Sequence, residues 1–152
     1  IQVYFAPEDK VLQAIISTIS GAKKSIRFMT FSFTDYDVAL AIMNRAAANK
    51  SIKVQGIFET TGSETAASEL RTLLCAGLNV RQDGGSFVLH HKVFIVDDTT
   101  VITGSFNIST NATESNDENL VIIPDPDLAA QYIAEFNRRW AEARTPANIV
   151  CQ

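Results

Sequence analysis

His90, Lys92, Ser105 and Asn107 are the residues whose types and spacing in this chain form a set able to do chemistry. They belong to the stretch His90–Asn119, which reads HHKVFIVDDTTVITGSFNISTNATESNDEN. Two apolar runs, Phe87–Val96 and Thr99–Thr103, have the composition of strands and are joined by a tight turn at Asp97–Asp98. Side chains alternate along a strand, so His90 and Lys92 share one face while His91 points to the other. Ser105 and Asn107, at the end of the second run, share a face in the same way. Two adjacent strands can thus present an imidazole, an ammonium, a hydroxyl and a carboxamide to one pocket.

These groups suit an anionic phosphodiester. A neutral imidazole is a competent nucleophile toward phosphorus, and a covalent intermediate divides the displacement into two steps. Lysine offers a point charge to the non-bridging oxygens, and Asn and Ser offer neutral donors. Donors held in place beforehand stabilise the charge that develops on the equatorial oxygens. Glu118, beyond the polar loop Ser109–Asn119, is able to accept the second imidazole N–H and fix its tautomer.

The elements that must position this set follow from hydrophobic periodicity. Ile1–Phe5 reads as a strand. A helix opening on Pro7–Glu8–Asp9 carries Val11, Leu12, Ile15, Ile16 and Ile19 at helical spacing and ends at Gly21. Ser25–Phe33 is a strand buried on both faces, and Asp35 or Asp37 caps a helix over Val38–Ala48. Ile52–Phe58 is a third strand, Glu64–Ala76 a third helix ending at Gly77, and Asn79–Gln82 a short strand. Leu120–Ile123 is a last strand, and Asp127–Ala143 closes the chain as an amphipathic helix anchored in the core by Trp140. Strand–helix alternation followed by hairpin-connected strands predicts an α/β fold, a mixed sheet flanked by helices on both faces.

The pattern His90-x-Lys92-x4-Asp97-x6-Gly104-Ser105-x-Asn107 resembles the HKD signature of the phospholipase D superfamily at every defined position. The Phe31–Thr34 strand end, the Phe58-Glu59…Gly62 segment and Glu118-Asn119 extend the likeness, which is nearest to the small bacterial endonucleases with one such motif per chain. The resemblance implies a phospholipase D-like fold and a metal-independent mechanism through a phosphohistidine, with no cofactor. It implies that His90 is the nucleophile, that Lys92 and Asn107 hold the phosphate, and that Ser105 is a supporting hydroxyl. Glu118 matches the acid that orients the histidine. Asp97 matches a structural residue bonding locally at its strand end, and Gly104 a structural neighbour. Ser32 and Thr34 could line the pocket mouth, and Glu59 is a weaker substrate-binding candidate.

The family site uses two histidines, one to attack and one to protonate the leaving oxygen. This chain has two histidines in all, and His91 faces away from the pocket and reads as structural or partner-facing. The second therefore comes from a second copy in a symmetric dimer, which is favoured here, or from another HKD domain of a longer protein. A nuclease on DNA or RNA is the leading function. A phospholipase D or phosphatidyltransferase on phospholipid head groups is the alternative, although the sequence shows no apolar rim. A half-site module, inert without a second HKD domain, is the third reading.

Bulk properties narrow these readings without deciding among them. A length of 152 residues fits a single domain, 1–152, that is either a mature form or cut from a longer chain. The net charge of −4, with no Lys or Arg between Val93 and Asn137, confines any phosphate-binding surface to a local patch. Cys75 and Cys151 lie far apart; Cys75, among helical leucines, reads as a buried inert thiol, and cysteine usage fixes no compartment. Phe31 and Phe33 read as core. The adjacent histidines lack metal-ligand spacing, so no metal site is expected. The sequons at Asn107 and Asn111 read as coincidence, since the first would modify the phosphate ligand.

Overall fold

A computed structural model describes all residues 1–152. Its seven strands are β1 Gln2–Ala6, β2 Ser25–Thr30, β3 Lys53–Phe58, β4 Asn79–Gln82, β5 Lys92–Val96, β6 Thr100–Gly104 and β7 Glu118–Pro124. Its helices are α1 Val11–Ser20, α2 Tyr36–Ala48, α3 Leu70–Cys75, α4 Thr110–Glu114 and α5 Pro126–Glu142. The strands form one sheet in the order β1-β7-β6-β5-β2-β3-β4. β2, β3 and β4 run parallel, as strands joined by helices must. The remaining neighbours are antiparallel. This is the mixed α/β sheet that the alternation predicts.

Both sheet faces are covered, which explains the apolar runs of the central strands. Ile26, Phe28, Val54, Phe58 and Phe94 face α1, α2 and α3, where Val11, Ile15, Ile19, Val38, Ile42, Leu70 and Leu73 complete the larger core. Met29, Ile57, Val93, Ile95 and Val101 face the other way and pack against Ala129 and Phe136 of α5. Trp140 stacks on Phe136 and carries Arg81 over its ring, so it anchors α5 as expected. Phe28 is ringed by Phe33, Phe58 and Phe94 at centroid distances of 5.5–5.6 Å. Gly56 makes room for it: a Cβ there would stand 2.0 Å from the Phe28 ring. These aromatics floor the end of the sheet where β2 and β3 finish and β5 begins.

Several boundaries depart from the periodicity. The third helix is confined to Leu70–Cys75, because Ser63 and Thr65 turn their hydroxyls onto the carbonyls of Thr60 and Gly62 and hold the preceding residues in turns. The first helix opens at Val11, since Asp9 folds back to accept from the Phe5 N–H instead of starting the helix. Asp35, rather than Asp37, caps α2, accepting from Val38 N. The loop Ser109–Asn119 contains α4, capped by the Ser109 hydroxyl, and surrenders Glu118 and Asn119 to β7.

The cysteine expectation fails outright. Cys75 is exposed at the end of α3 and is bonded to Cys151 across 76 residues of sequence. The bond, with Ile149 against the larger core and Arg71 donating to the Val150 carbonyl, ties the last residues of the chain to α3. Helical spacing around Cys75 carried no information about so distant a partner.

Candidate active site

The candidate residues meet where β2 and β3 end and β5 and β7 begin. β5 starts at Lys92, so His90 and His91 lie just before it, on a segment running back to Gly84. That segment is held at three points. The Phe31 N–H donates to the His91 carbonyl (2.9 Å). Leu89 is buried, and its N–H donates to Glu59 Oε2 at 2.7 Å. Gly84 lies so close to α5 that a Cβ would meet the Glu142 carbonyl at 2.0 Å. His90 is therefore exposed on an anchored backbone.

His90 and Lys92 share one side, as strand alternation requires. The Lys92 ammonium donates to the His90 carbonyl (2.9 Å) and lies 3.1 Å from Nδ1 and 3.4 Å from Nε2 of its ring. An ammonium can only donate, so the ring nitrogen it approaches offers a lone pair. Phe31 is half-buried rather than core: its ring lies 4.6 Å from the imidazole and 5.3 Å from the ammonium, a backing that sequence reasoning missed. Burial holds the Lys92 pKa below the ordinary lysine value, and the nearby Glu118 carboxylate partly restores it.

His91 turns to the opposite side, and its Nε2 lies 3.1 Å from Glu135 Oε1 on α5. Burial would raise the Glu135 pKa, but His91, Arg138 and Arg139 outweigh it and hold the carboxyl below its usual range.

Ser105 and Asn107 lie beyond β6, not on it. Gly104 has φ 152° and sits against the Asn119 carbonyl, which a Cβ would meet at 2.2 Å. The chain then crosses the end of β5 to reach β2: Ile108 donates to the Ser32 carbonyl and accepts from Thr34 N, and Phe33 and Ile108 form a parallel bridge. The crossing carries Asn107 toward the end of the sheet where β5 begins, and its buried Oδ1 has no protein partner. The carboxamide oxygen can only accept, so it is Asn107 Nδ2 that can donate to an anionic ligand.

Glu118 is not bonded to His90. One oxygen accepts from the Ser105 hydroxyl and the other from Asn116 Nδ2 at 3.2 Å. Ser105 in turn accepts from the Asn119 N–H at 3.0 Å. Glu118 thus reaches the site through Ser105 and through its field on Lys92. Glu59 is only 6 % exposed, and its carboxylate is occupied by backbone donors: Leu89 N, Thr60 N (2.9 Å) and Thr61 N (3.4 Å).

Asp97 lies at the far end of β5. With φ 57°, it accepts from the backbone N–H groups of Lys23, Lys24 and Ser25 at 2.6–3.1 Å. Its bonds are thus remote in sequence, not local as expected. Burial would raise its pKa, but the N–H groups of Lys24, Lys23 and Ser25 win and hold the carboxyl below its ordinary value. Nowhere in the chain do three or more His, Cys, Asp or Glu side chains converge as a metal-ligand set.

Comparison with known proteins identifies the family. The family described as "Cardiolipin synthase, PLD-like domain" matches residues 15–140. The chain belongs to the phospholipase D-like family. Among its relatives in that family is the phospholipase D of Rickettsia prowazekii, 30 % identical over 96 % of this chain and 68 % of that protein. The mitochondrial cardiolipin hydrolase of Xenopus laevis is 31 % identical over 88 % of this chain. The phospholipase D-like chain spans 63 % of the length of that hydrolase. The crystal structure of the phospholipase D family member Nuc from Salmonella typhimurium superposes with a TM-score of 0.84 at 33 % identity, covering 94 % of this chain and 95 % of Nuc.

Proposed function

We propose that this chain is a metal-independent phosphodiesterase that works through a phosphohistidine on His90, with nucleic acid as its substrate. The observation that carries the reading is the pairing of an exposed His90 imidazole with the Lys92 ammonium, 3.1 Å from Nδ1, on a backbone anchored from three sides. A phosphate placed against both has its non-bridging oxygens on Lys92 and Asn107. A ring nitrogen of His90 attacks phosphorus, a P–N bond forms, and the P–O bond to the leaving alcohol breaks. A second imidazole protonates the leaving oxygen, then takes a proton from the water that attacks the phosphohistidine and frees His90. Ser105, held by Glu118, steadies the wall of this pocket.

His91 cannot be the second imidazole, because it is turned onto Glu135. We therefore infer that the site is completed by His90 of a second copy across a two-fold axis, or by the histidine of another domain of the same family. The resemblance of the His90–Asn107 motif to that of the small bacterial endonucleases, together with the likeness to Nuc over 94 % of this chain, supports nucleic acid. One observation favours phospholipid instead: Phe87 and Val88, just before His90, are 86 % and 62 % exposed, an apolar rim not apparent from the sequence.

The test is cleavage of single-stranded oligonucleotides in chelator by wild type and His90→Ala, alongside the native mass. The reading expects a two-fold assembly whose activity vanishes with His90. Activity surviving His90→Ala would end the mechanism. Head-group release from phospholipid vesicles without oligonucleotide cleavage would move the substrate to lipid.

A further inference from the structure

A cavity opens beside the candidate site, lined in part by Phe31, the residue whose ring also lies against His90. It has a volume of about 130 Å³, several times what one water needs, and lies between the end of β2, the end of β3 and the turns that follow. Phe31 belongs to both sites, one side of its ring near the imidazole and the residue itself lining the cavity. Glu59 also joins them: it lines the cavity and accepts from Leu89, the residue before His90. Phe31 thus offers a substrate whose phosphate meets His90 and Lys92 a path for one of its esterified alcohols into this space.

The lining defines what enters. Ser32, Thr34 and Thr61 contribute side-chain hydroxyls that form no hydrogen bond within the chain, unlike Ser63, whose hydroxyl donates to the Thr60 carbonyl and accepts from Gln82. Each free hydroxyl can donate and accept. The Glu59 carboxylate, nine-tenths buried, has no cationic partner and is balanced by backbone N–H groups alone. No lysine or arginine lines the cavity. A second phosphate is thus repelled, while a neutral group rich in hydroxyls finds both donors and acceptors. We propose that this cavity is a ribose subsite, which makes the enzyme prefer phosphodiesters flanked by a ribonucleotide over those flanked by deoxyribonucleotides.

The proposal rests on the nucleic-acid reading above and adds the sugar to it. A deoxyribose brings a methylene where ribose brings a hydroxyl, and leaves the cavity's polar groups idle. Sites built to bond a hydroxyl discriminate strongly against its absence; with Thr61 exposed at the rim, the expected preference is about tenfold in kcat/KM.

The experiment uses a DNA oligonucleotide carrying one ribonucleotide, incubated in chelator with the assembled protein, with products mapped by gel and mass. Cleavage is expected about tenfold more often at the phosphate flanking the ribonucleotide. The new ends should be plain phosphomonoesters. A cyclic 2′,3′-phosphate would mean that the substrate's own hydroxyl attacked, and would overturn the proposal. In Thr34→Val/Thr61→Val the bias should collapse toward even cleavage. Even cleavage by wild type, or an undiminished bias in a folded double variant, refutes the subsite while leaving the nuclease reading intact. No cleavage of the oligonucleotide at any position, with head-group release from phosphatidylglycerol vesicles, refutes both.

Discussion

Replacing Asp97 by alanine should unfold this protein more easily without touching its chemistry, although Asp97 belongs to the motif that singles out the site. Asp97 stands five residues beyond Lys92 on an extended strand, about 16 Å away at ~3.3 Å per residue. Its carboxylate holds three backbone donors, Lys23, Lys24 and Ser25, and thereby fastens the start of β2 to the end of β5. Each such bond to a charged acceptor contributes about 1 kcal/mol when discounted for the half-exposed position. Alanine at φ 57° costs about 1 kcal/mol more in the left-handed region. The loss is thus about 4 kcal/mol, and for a domain of this size the melting temperature should fall by roughly 8–16 °C. Asp97→Asn keeps a carbonyl oxygen in the bonding position and tolerates the backbone, so it should lose only about half as much. Because the folded carboxyl is held below its ordinary pKa, its stabilisation is complete above the unfolded value and fades as pH falls through the folded one. That part of the acid limb should be missing in both variants. Melting curves at several pH values, with kcat measured well below the melting temperature, test the argument. A hundredfold fall in kcat with an unchanged melting temperature would show that Asp97 acts in the reaction and that the reasoning is wrong.

Other consequences are equally open to measurement. In the proposed mechanism Lys92 holds phosphate as a cation, and burial lowers its pKa, so activity should decline on the alkaline side before the ordinary lysine range near ~10.4. Glu118→Gln removes the charge that supports Lys92 and should move this limb to still lower pH; a limb that stays put would exclude the coupling. Glu59→Gln replaces one acceptor oxygen by a donor facing backbone N–H groups. It should cost about 2 kcal/mol in stability and, by loosening the His90 segment, about ten- to a hundredfold in kcat, read by melting and by hydrolysis of bis(p-nitrophenyl) phosphate. Cys75→Ser opens a bond spanning 76 residues and should cost about 4 kcal/mol in chemical denaturation. Reductant should lower the wild-type midpoint to that of the variant and leave the variant unmoved.

Much of this arrangement was legible in the residues because it depends on short-range alternation. The period of two that puts His90 and Lys92 together also turns His91 onto Glu135, and the apolar runs of β2, β3 and β5 announce a sheet covered on both faces. What stayed hidden depends on partners distant in sequence. Asp97 looks like a strand terminator until the residues around Lys24 are brought beside it. Glu59 reads as a substrate-binding candidate at a strand end until Leu89 arrives with its N–H. Glu118 is aimed by register, since β7 pairs with β6 so that the Glu118–Asn119 pair meets Ser105, and periodicity cannot give that. The third helix was overextended because alanines and leucines fit a helix, while the small hydroxyl residues among them bond to their own backbone.

The sheet has two ends with different duties, and both ends of the chain belong to the quieter one. β1 enters opposite the catalytic end, its last residues Phe5 and Ala6 being the ones that reach Asn119 and Glu118. The last residues are clasped to Cys75, just before β4 starts at that same far end. Anything joined to either terminus, whether an affinity tag, a surface linker or a neighbouring domain, is attached at the end of the sheet opposite His90. Immobilisation through either end should therefore leave the mouth of the site free to meet its substrate.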